Sequence, residues 1–408
     1  MNILVLTSVY PQPDDCSCDV TATVKYFCNK WNEMGHHVVV VHNNSRFPIV
    51  YYYIPRFIQS KMSSRFGHAF PCKQSRKDIN YNENGIIVFR FPMKKIIPYQ
   101  KFSKKTIKKQ IEKIIDSLKQ ISFKPDVVLC HWSNPQVEIA KGLKKIYDAK
   151  YSIVFHGDCE KKQIDRYDLE KNIMIFDAVG CRSRDYAEHV QSALSLRRLP
   201  FVCCSGVPDD LAEKQMRLVD SIKGKKSRTF IFVGRLVDYK NVDTIIKALF
   251  QVYGIGEFDF HIIGEGAKKK ELIDLSKELC IDEQVHFHGY MSRKEVFNYM
   301  RKCSVFVMVS EGEVFGMVYI EAMLAGCLVI ASKGCGVDGI IVDGINGFTS
   351  EQGNIKILAE RINEIDNLSN EEKNTIRRNA IQTAYEYRDS KVAERYLTDV
   401  YNWSDDIV

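Results

Sequence analysis

The chain has 408 residues, of which 45% are hydrophobic and 27% are charged, and its formal net charge is +7. This length is too great for one ordinary domain, and the composition is that of a soluble globular protein. No stretch approaches the roughly 18 apolar residues that a membrane-spanning helix needs. Residues 1–6 enter an apolar run without a basic leader, which indicates a buried first strand and not a signal peptide.

Thirteen cysteines are scattered along the chain, and several lie inside apolar runs, such as Cys130, Cys303 and Cys327. The closely spaced cysteines at 16 and 18, and at 203 and 204, have no histidine nearby in sequence to complete a metal site. We therefore predict inert, reduced thiols in a cytoplasmic protein, and no metal site.

Short apolar runs alternate with amphipathic helical stretches in the first half of the chain. Helices are predicted at 21–34 and 101–121. Alternation of this kind is typical of a parallel sheet with crossover helices. The predicted strands of this half are 3–7, 38–42, 86–91, 126–131 and 151–155.

Residues 94–124 are strongly basic, because this stretch holds ten lysines against only two acids. Its isoleucines and leucine recur at helical spacing, so we predict an amphipathic helix with a basic outer face. Such a face is either simply solvated or attaches the protein to the inner face of an anionic membrane. Nucleic acid is disfavoured, because no base-reading module accompanies the charge. The lysines assigned to the membrane contact are Lys101, Lys104, Lys105, Lys108 and Lys109.

The same alternation starts again in the second half of the chain, so the sequence predicts two doubly wound α/β domains. We place the first domain at 1–205, the second at 206–385, and a last helix at 386–408 that packs back on the first domain. Ligands of open α/β sheets bind at the carboxyl ends of strands, so the residues after each strand are the site candidates. The predicted strands of this half are 229–233, 258–263, 285–287, 305–309 and 328–331.

Gly234 and Arg235 follow the first strand of the second series, and Lys240 precedes a helix that starts near residue 242. A glycine allows a turn, while two cations at a helix entrance suit a diphosphate, which arginine can grip with two hydrogen bonds. The alternative is a pair of solvated surface cations.

Residues 310–321 follow the strand 305–309 and run into a helix, and they hold two glutamates, Glu313 and Glu321. Glu321 has apolar neighbours, and a carboxylate in such a place needs partners, for which sugar hydroxyls are well suited. Phe315-Gly316 allows a backbone amide to approach a ligand closely. The alternative is a helix N-terminus with favourably placed acids.

With these residues in place, the second half resembles glycosyltransferase family 4, the retaining enzymes of the GT-B fold, in which two Rossmann-like domains face a cleft. The matching pieces keep their order and spacing from residue 234 to residue 348. They are Gly234-Arg235-x4-Lys240, Ile262-Ile263-Gly264-Glu265-Gly266, Phe287-His288-Gly289-Tyr290, Glu313-x7-Glu321, Glu321-Ala322-Met323-Leu324-Ala325-Gly326 through Ile330-Ala331-Ser332, and Val342-Asp343-Gly344-Ile345-Asn346-Gly347-Phe348.

The first half resembles the same family more weakly, through four short elements. These are Gly35-His36-His37-Val38, Lys124-Pro125-Asp126-Val127-Val128, Phe155-His156-Gly157 and Ser205-Gly206-Val207.

The resemblance implies a role for each matching residue. Arg235 and Lys240 would neutralise the donor diphosphate, Glu313 would contact the donor sugar, and Glu321 would hold the ribose. His156 would lean over the transferring sugar from the other domain. The further donor-binding residues implied are Gly234, Phe315, Gly316, Met317, Val318, Gly289 and Tyr290.

In this family the leaving phosphate itself takes the acceptor proton, so no enzymic nucleophile is needed. The residues agree, since they offer cations for departing charge and carboxylates for hydroxyls. The chain contains no Asp-x-Asp, so a metal-bound diphosphate is disfavoured. The resemblance thus implies a metal-independent hexosyltransferase without a cofactor. Its co-substrate is a UDP- or GDP-sugar, and its acceptor a glycan or lipid-linked sugar in bacterial surface polysaccharide synthesis.

Three stretches depart from the family pattern. The loop 11–19 has no glycine, Gly339 stands where the family usually has an acid, and 48–81 is long, aromatic and basic without a counterpart. Two other functions remain open: a nucleotide-sugar epimerase of the same fold, and a non-catalytic partner that binds a sugar nucleotide or a membrane. A dehydrogenase fits poorly, because no G-x-G-x-x-G follows the first strand.

Overall fold

The computed structural model describes residues 1–11, 21–49, 53–54, 77–96, 100–221, 225–334 and 336–403. The chain divides into two units. The first unit comprises Met1–Arg182, Tyr186–Cys203 and the end of the chain from Ala393, and the second comprises Ser183–Asp185 and Cys204–Val392. Most of the glycine-free loop 11–19, and most of the aromatic stretch 48–81, lie outside the described residues.

A largely parallel sheet forms the centre of the first unit. Its strands, in chain order, are β1 (Asn2–Thr7), β2 (His37–His42), β3 (Ser45–Arg46), β4 (Ile79–Glu83), β5 (Ile86–Arg90), β6 (Met93–Lys94), β7 (Val127–His131), β8 (Lys150–Phe155), β9 (Ala178–Cys181) and β10 (Phe201–Val202). In the described residues, eight of them pair in the order β10-β9-β8-β7-β1-β2-β5-β4, while β3 and β6 form a separate ribbon. The edge strand β4 runs antiparallel to β5, whereas β1 pairs in parallel with both β2 and β7.

The strands of the first unit form where apolar, often β-branched residues run together, because both faces of a parallel sheet are covered. Leu4 and Val5 of β1, for example, are fully buried. The helices in this part of the chain are α1 (Thr23–Glu33), α2 (Lys104–Gln120), α3 (Gln136–Leu143), α4 (Lys161–Tyr167), α5 (Leu169–Asn172) and α6 (Arg184–Ala193).

Helix α2 is the basic amphipathic helix that the sequence predicts. It begins at Lys104 and not at 101, because the Ser103 side chain accepts a hydrogen bond from the Thr106 amide and caps the helix there. Ile107, Ile114 and the other apolar residues of one face are buried, while the lysines point outward. Within the described residues, none of the helices combines the length and the apolar character that crossing a membrane requires.

The second unit has its own parallel sheet, in the order β13-β12-β11-β14-β15-β16. Its strands are β11 (Thr229–Val233), β12 (Asp259–Ile263), β13 (Val285–Gly289), β14 (Val305–Met308), β15 (Leu328–Ser332) and β16 (Phe348–Ser350). Its helices are α7 (Asp209–Arg217), α8 (Val242–Tyr253), α9 (Lys269–Glu278), α10 (Arg293–Lys302), α11 (Met317–Leu324), α12 (Ile355–Asn367) and α13 (Asn370–Tyr385), and the last helix of the chain is α14 (Asp389–Asn402).

Every strand that the sequence predicts is present, with ends displaced by at most two residues. The sequence missed the short or polar strands. Strand β10 has only two residues, and β9 contains Gly180, whose missing side chain leaves room for the Phe201 ring, 2.5 Å from where a Cβ would lie. Such strands carry too few apolar residues for a periodic pattern to show.

Helix α14 brings Tyr396 into the core of the first unit. The ring lies 5.3 Å from Phe27 and 5.4 Å from Trp31, measured between centroids, and it is 1% exposed. The Trp31 indole donates a hydrogen bond to the Ala393 carbonyl at 3.0 Å. Aromatic burial on this scale is a major source of packing energy.

We predict that Tyr396→Ala lowers the free energy of unfolding of the first unit by about 3–5 kcal/mol, the usual cost of removing a large buried ring. Tyr396→Phe keeps the ring and should cost less than about 1.5 kcal/mol, since it removes one long hydroxyl contact. Urea unfolding followed by tryptophan fluorescence would measure both, because all three tryptophans, Trp31, Trp132 and Trp403, lie in the first unit. Equal midpoints for wild type and Tyr396→Ala would contradict this packing.

Candidate functional site

The predicted donor-binding residues lie where the strand order of the second sheet reverses. Strands β12 and β13 lie on one side of β11, whereas β14 and β15 lie on the other. The carboxyl ends of β11 and β14 therefore stand next to each other with their loops diverging. Open α/β sheets bind ligands in the crevice at this point. Gly234 and Arg235 follow β11, and the loop with Glu313 follows β14.

Two glycines allow the loop after β11 to pack closely against the loop after β12. A Cβ on Gly264 would lie 1.9 Å from the Gly234 carbonyl oxygen, and one on Gly266 would lie 2.1 Å from that of Leu236. Gly234 in turn donates its amide to the Ile263 carbonyl at 3.0 Å. The segment Gly264-Glu265-Gly266 thus fixes the course of the backbone from which Arg235 and Lys240 project.

Lys240 and Glu313 form an ion pair inside this crevice. The Lys240 ammonium donates to Glu313 Oε2, and the two side chains are 11% and 17% exposed. A short 3-10 helix, Asp238–Lys240, places the lysine, whose Nζ also lies 3.9 Å from Met308 Sδ. The structure therefore brings together two residues that the sequence assigned to different parts of a donor, the diphosphate and the sugar.

Arg235 lies on the solvent side of the same loop. Its side chain is exposed, and Nη2 donates to the Tyr239 hydroxyl at 3.0 Å. The Tyr239 carbonyl accepts a hydrogen bond from the Glu311 amide at 2.8 Å, which ties the loop after β11 to the loop after β14. Arg235 is thus held at the rim of the crevice, with a guanidinium that can turn toward an anion.

Two glycines with positive φ leave room around Glu313: Gly316 in the loop after β14, and Gly336 in the loop after β15. A Cβ on Gly316 (φ 72°) would lie 2.6 Å from the Tyr319 ring, and one on Gly336 (φ 64°) would lie 3.2 Å from Glu313 Cγ. Gly316 caps α11, so the amides of Met317 and Val318 begin the helix. The first amides of a helix have no partner within it, and the helix dipole favours an anion there.

Glu321 is paired with an arginine that the sequence did not point to. Arg293 Nε donates to Glu321 Oε1 at 2.5 Å, and the glutamate side chain is 13% exposed. Burial raises the pKa of Glu321, while the Arg293 guanidinium opposes the rise. The sequence signal here is only local: Ser292 and Glu295 form a capping box, which starts α10 at Arg293 but does not indicate a partner for Glu321.

Gly289 ends β13, which pairs with β12, and Tyr290 follows it directly. The Gly289 carbonyl accepts the Gly264 amide at 2.8 Å, and its φ of 73° is one that glycine adopts without strain. Tyr290 is 67% exposed, so its ring extends into solvent beside the loops. Phe315, by contrast, belongs to the loop after β14 and is buried, with 4% exposure.

In the first unit, His156 follows β8 and is held from several directions. Its Nε2 lies 3.0 Å from His131 Nδ1, the Trp132 ring stacks on it at 4.0 Å, and its amide donates to Asp158 at 2.9 Å. Burial, together with Arg182 and His131, holds the pKa of His156 well below its usual range. The imidazole is therefore neutral at pH 7. The sequence did not identify His131, Trp132 or Asp158.

The nine cysteines among the described residues are free thiols, and eight of them are buried. Within the same residues, histidine, cysteine and carboxylate side chains do not gather into a group of three or more that could hold a metal ion. Lys240, Glu313, Glu321 and the first amides of α11 offer a cation, two carboxylates and helix amides, which are groups that can bind anions and hydroxyls.

Residues 217–383 match the family model of the glycosyl transferases group 1. An uncharacterised glycosyltransferase of Methanocaldococcus jannaschii is 38% identical over 252 residues, which is 60% of this chain and 66% of that protein. An uncharacterised 41.2 kDa protein in the cps region of Klebsiella pneumoniae is 26% identical over 249 residues, 57% of this chain and 67% of its own length. The chain thus spans about two thirds of these relatives.

Among solved structures, Anabaena HepE in complex with UDP and glucose superposes with a TM-score of 0.63 at 16% identity, over 98% of this chain and 100% of that one. An identity this low shows the fold alone. The chain has the GT-B fold, with a parallel α/β sheet in each unit, and the part of it that carries Arg235, Lys240, Glu313 and Glu321 is similar to the glycosyl transferases group 1.

Proposed function

We propose that this protein is a glycosyltransferase that moves a sugar from a nucleotide diphosphate donor to an acceptor. The observation that carries the proposal is the Lys240–Glu313 pair at the strand reversal, inside the region that matches the group 1 family. A cation and a carboxylate side by side fit the junction between a donor's phosphate and its sugar. The proposed donor is a UDP-sugar or a GDP-sugar, and HepE, which shares the fold, was solved in complex with UDP and glucose.

In the proposed reaction, Lys240 and Arg235 neutralise the diphosphate as the glycosidic bond breaks. The amides of Met317 and Val318 at the start of α11 add fixed positive potential, which needs no reorganisation during the reaction. Glu313 accepts hydrogen bonds from sugar hydroxyls, and Glu321, oriented by Arg293, accepts them from the ribose. His156, which the family resemblance assigns to the donor sugar, is kept neutral by its burial and by the nearby Arg182.

The pathway that we propose is the assembly of a bacterial surface polysaccharide. It rests on the family resemblance and on the relative in the Klebsiella cps region. The acceptor in such a pathway is a growing glycan or a lipid-linked sugar, and the enzyme works in the cytoplasm at the inner face of the plasma membrane.

We expect Lys240→Met and Glu313→Gln each to reduce donor turnover by roughly ten- to a hundredfold, because each removes a charged hydrogen bond worth about 1.5–3 kcal/mol. Initial rates with a panel of nucleotide sugars would measure this. Arg235→Ala should reduce turnover similarly and leave the fold intact, because its side chain is exposed.

The double variant Lys240→Met/Glu313→Gln separates catalysis from structure. Breaking a buried pair leaves one charge uncompensated, and removing both charges relieves that cost. A pair that served only stability would therefore regain activity in the double variant, and such a recovery would refute the diphosphate assignment. Lys247→Met, at an exposed lysine of α8 outside the crevice, is the matched control and should retain wild-type rates.

The product should retain the anomeric configuration of the donor, and the reaction should proceed in excess EDTA. Both follow from the family resemblance and from the absence of Asp-x-Asp in the sequence. A proton NMR spectrum of the product would establish the configuration. Inversion would exclude the retaining mechanism in which the leaving phosphate takes the acceptor proton. Loss of activity in EDTA that Mg²⁺ restores would show that the diphosphate needs a metal.

We further propose that α2 attaches the enzyme to an anionic membrane. Lys104, Lys105, Lys108 and Lys109 are exposed on the outer face of this helix, and Lys101 lies exposed just before it. Lys101 is already paired with Asp168 at 2.6 Å, which reduces its part in the contact. Each lysine near an anionic leaflet contributes about 1 kcal/mol, and salt screens the attraction.

Replacing Lys104, Lys105, Lys108 and Lys109 by glutamate should abolish co-sedimentation with phosphatidylglycerol vesicles at low salt. The matched control replaces four exposed lysines of the second unit by glutamate, and it should still bind; these are Lys214, Lys277, Lys294 and Lys356. Equal binding by both quadruple variants, or no binding by the wild type, would refute attachment through α2.

A further inference from the structure

A chain of three hydrogen-bonding side chains ends at His156 in the first unit. The Tyr396 hydroxyl of α14 lies 3.4 Å from His131 Nε2, and His131 Nδ1 lies 3.0 Å from His156 Nε2. Tyr396 is 1% exposed and His131 is fully buried, whereas His156 is half-buried. The direction in which the protons point along this chain decides whether the other ring nitrogen of His156 is a donor or an acceptor.

The tyrosine end of the chain sets this direction. Among the described residues, His131 Nε2 is the only hydrogen-bond partner of the Tyr396 hydroxyl. A buried O–H donor without an acceptor costs free energy, because water cannot reach it. The hydroxyl therefore donates to His131 Nε2, which must be the bare nitrogen of its ring. The reverse direction would leave the phenolic proton without a partner.

The same reasoning passes from His131 to His156. Burial and the Arg182 guanidinium lower the pKa of His131 to about 3 and hold the pKa of His156 well below its usual range, so both rings are neutral at pH 7. A neutral imidazole carries one N–H and one bare nitrogen. Because its Nε2 is bare, His131 carries its proton on Nδ1 and donates it to His156 Nε2. His156 therefore carries its own proton on Nδ1.

The Nδ1–H group of His156 is the open end of the chain. Within the described part of the protein it has no hydrogen-bond partner. The Trp132 ring stacks on the imidazole at 4.0 Å, and the His156 amide donates to Asp158 at 2.9 Å, so both the ring and its backbone are held. A ring turned over would present carbon to His131 and lose that hydrogen bond. The N–H is thus fixed in place before any ligand arrives.

We propose that Tyr396 and His131 are positioning residues, which hold His156 as an Nδ1–H donor toward an oxygen of the donor sugar. This inference rests on the proposed function and deepens it. Nε2 of His156 already accepts a hydrogen bond and Nδ1 already carries a proton, so the ring has no bare nitrogen left to act as a general base. This agrees with a reaction in which the leaving phosphate takes the acceptor proton.

The direct test determines the tautomer in the full chain, labelled with ¹⁵N-histidine. Long-range ¹H–¹⁵N correlation spectra distinguish a bare ring nitrogen from an N–H group, and the signals of His156 are identified by their loss in His156→Gln. We expect His156 to carry its proton on Nδ1. A proton on His156 Nε2 in the wild type would overturn the proposal.

Tyr396→Phe keeps the ring and removes the donor that sets the direction of the chain. We expect this variant to populate both tautomers of His156 and to lower kcat/KM for the donor by roughly two- to tenfold, the usual loss for a neutral hydrogen bond. Binding of the nucleotide diphosphate alone should be unchanged, because it lacks the sugar that His156 meets.

Tyr151→Phe is the matched control. The Tyr151 hydroxyl is also buried in the first unit, but it donates to the Tyr147 carbonyl at 3.3 Å. The control should change neither the tautomer nor kcat/KM. If Tyr396→Phe matches Tyr151→Phe in either quantity, the proposal is overturned. A wild-type protein that cleaves no nucleotide sugar would instead refute the proposed function, while the spectra would still decide the tautomer of His156.

Discussion

The position of β11 between β12 and β14 is the constraint on which the candidate site depends. From β11 the chain continues to β12 on one side, and it later returns to β14 on the other side of β11. The loops after β11 and β14 therefore diverge and leave a crevice between them. Lys240 and Glu313 are 73 residues apart in sequence, yet each lies only a few residues beyond its strand. Strand order alone therefore brings a cation and a carboxylate together. The first sheet repeats the arrangement, with β1 between β7 and β2, and His131 ends β7 at that point.

Glycines at defined places turn this crevice into a shaped site. Gly264 and Gly266 let two loops touch through their backbones, which leaves the Lys240 loop little freedom to move. Gly316 and Gly336 leave space around Glu313 that a single methyl group would fill. These are the positions where a side chain would collide with backbone, a ring or the glutamate itself. The glycines in the family-like segments can thus be explained by packing, independently of any ligand.

The sequence predicted the parallel sheets, because their strands are unbroken apolar runs and their helices have a clear apolar face. It also named Arg235, Lys240, Glu313 and Glu321 as candidates, because they follow strands in a recognisable order, and their roles stay predictions. It could not identify Arg293 or His131, because each acts through a residue distant in sequence: Arg293 through Glu321, and His131 through His156. The burial of Lys95 was equally invisible, since in sequence it is one lysine in a basic run.

The Lys240–Glu313 pair has a consequence for how a donor is recognised under the proposed function. A diphosphate that attracts Lys240 competes with Glu313 for the ammonium. Binding of the phosphate therefore weakens the ion pair of Glu313, whose side chain is only 17% exposed. A carboxylate left unpaired in such a place costs free energy. Sugar hydroxyls that donate to Glu313 remove that cost, whereas a nucleotide diphosphate without a sugar does not. The pair therefore couples phosphate recognition to sugar recognition, and it favours the intact donor over the nucleotide that remains after transfer.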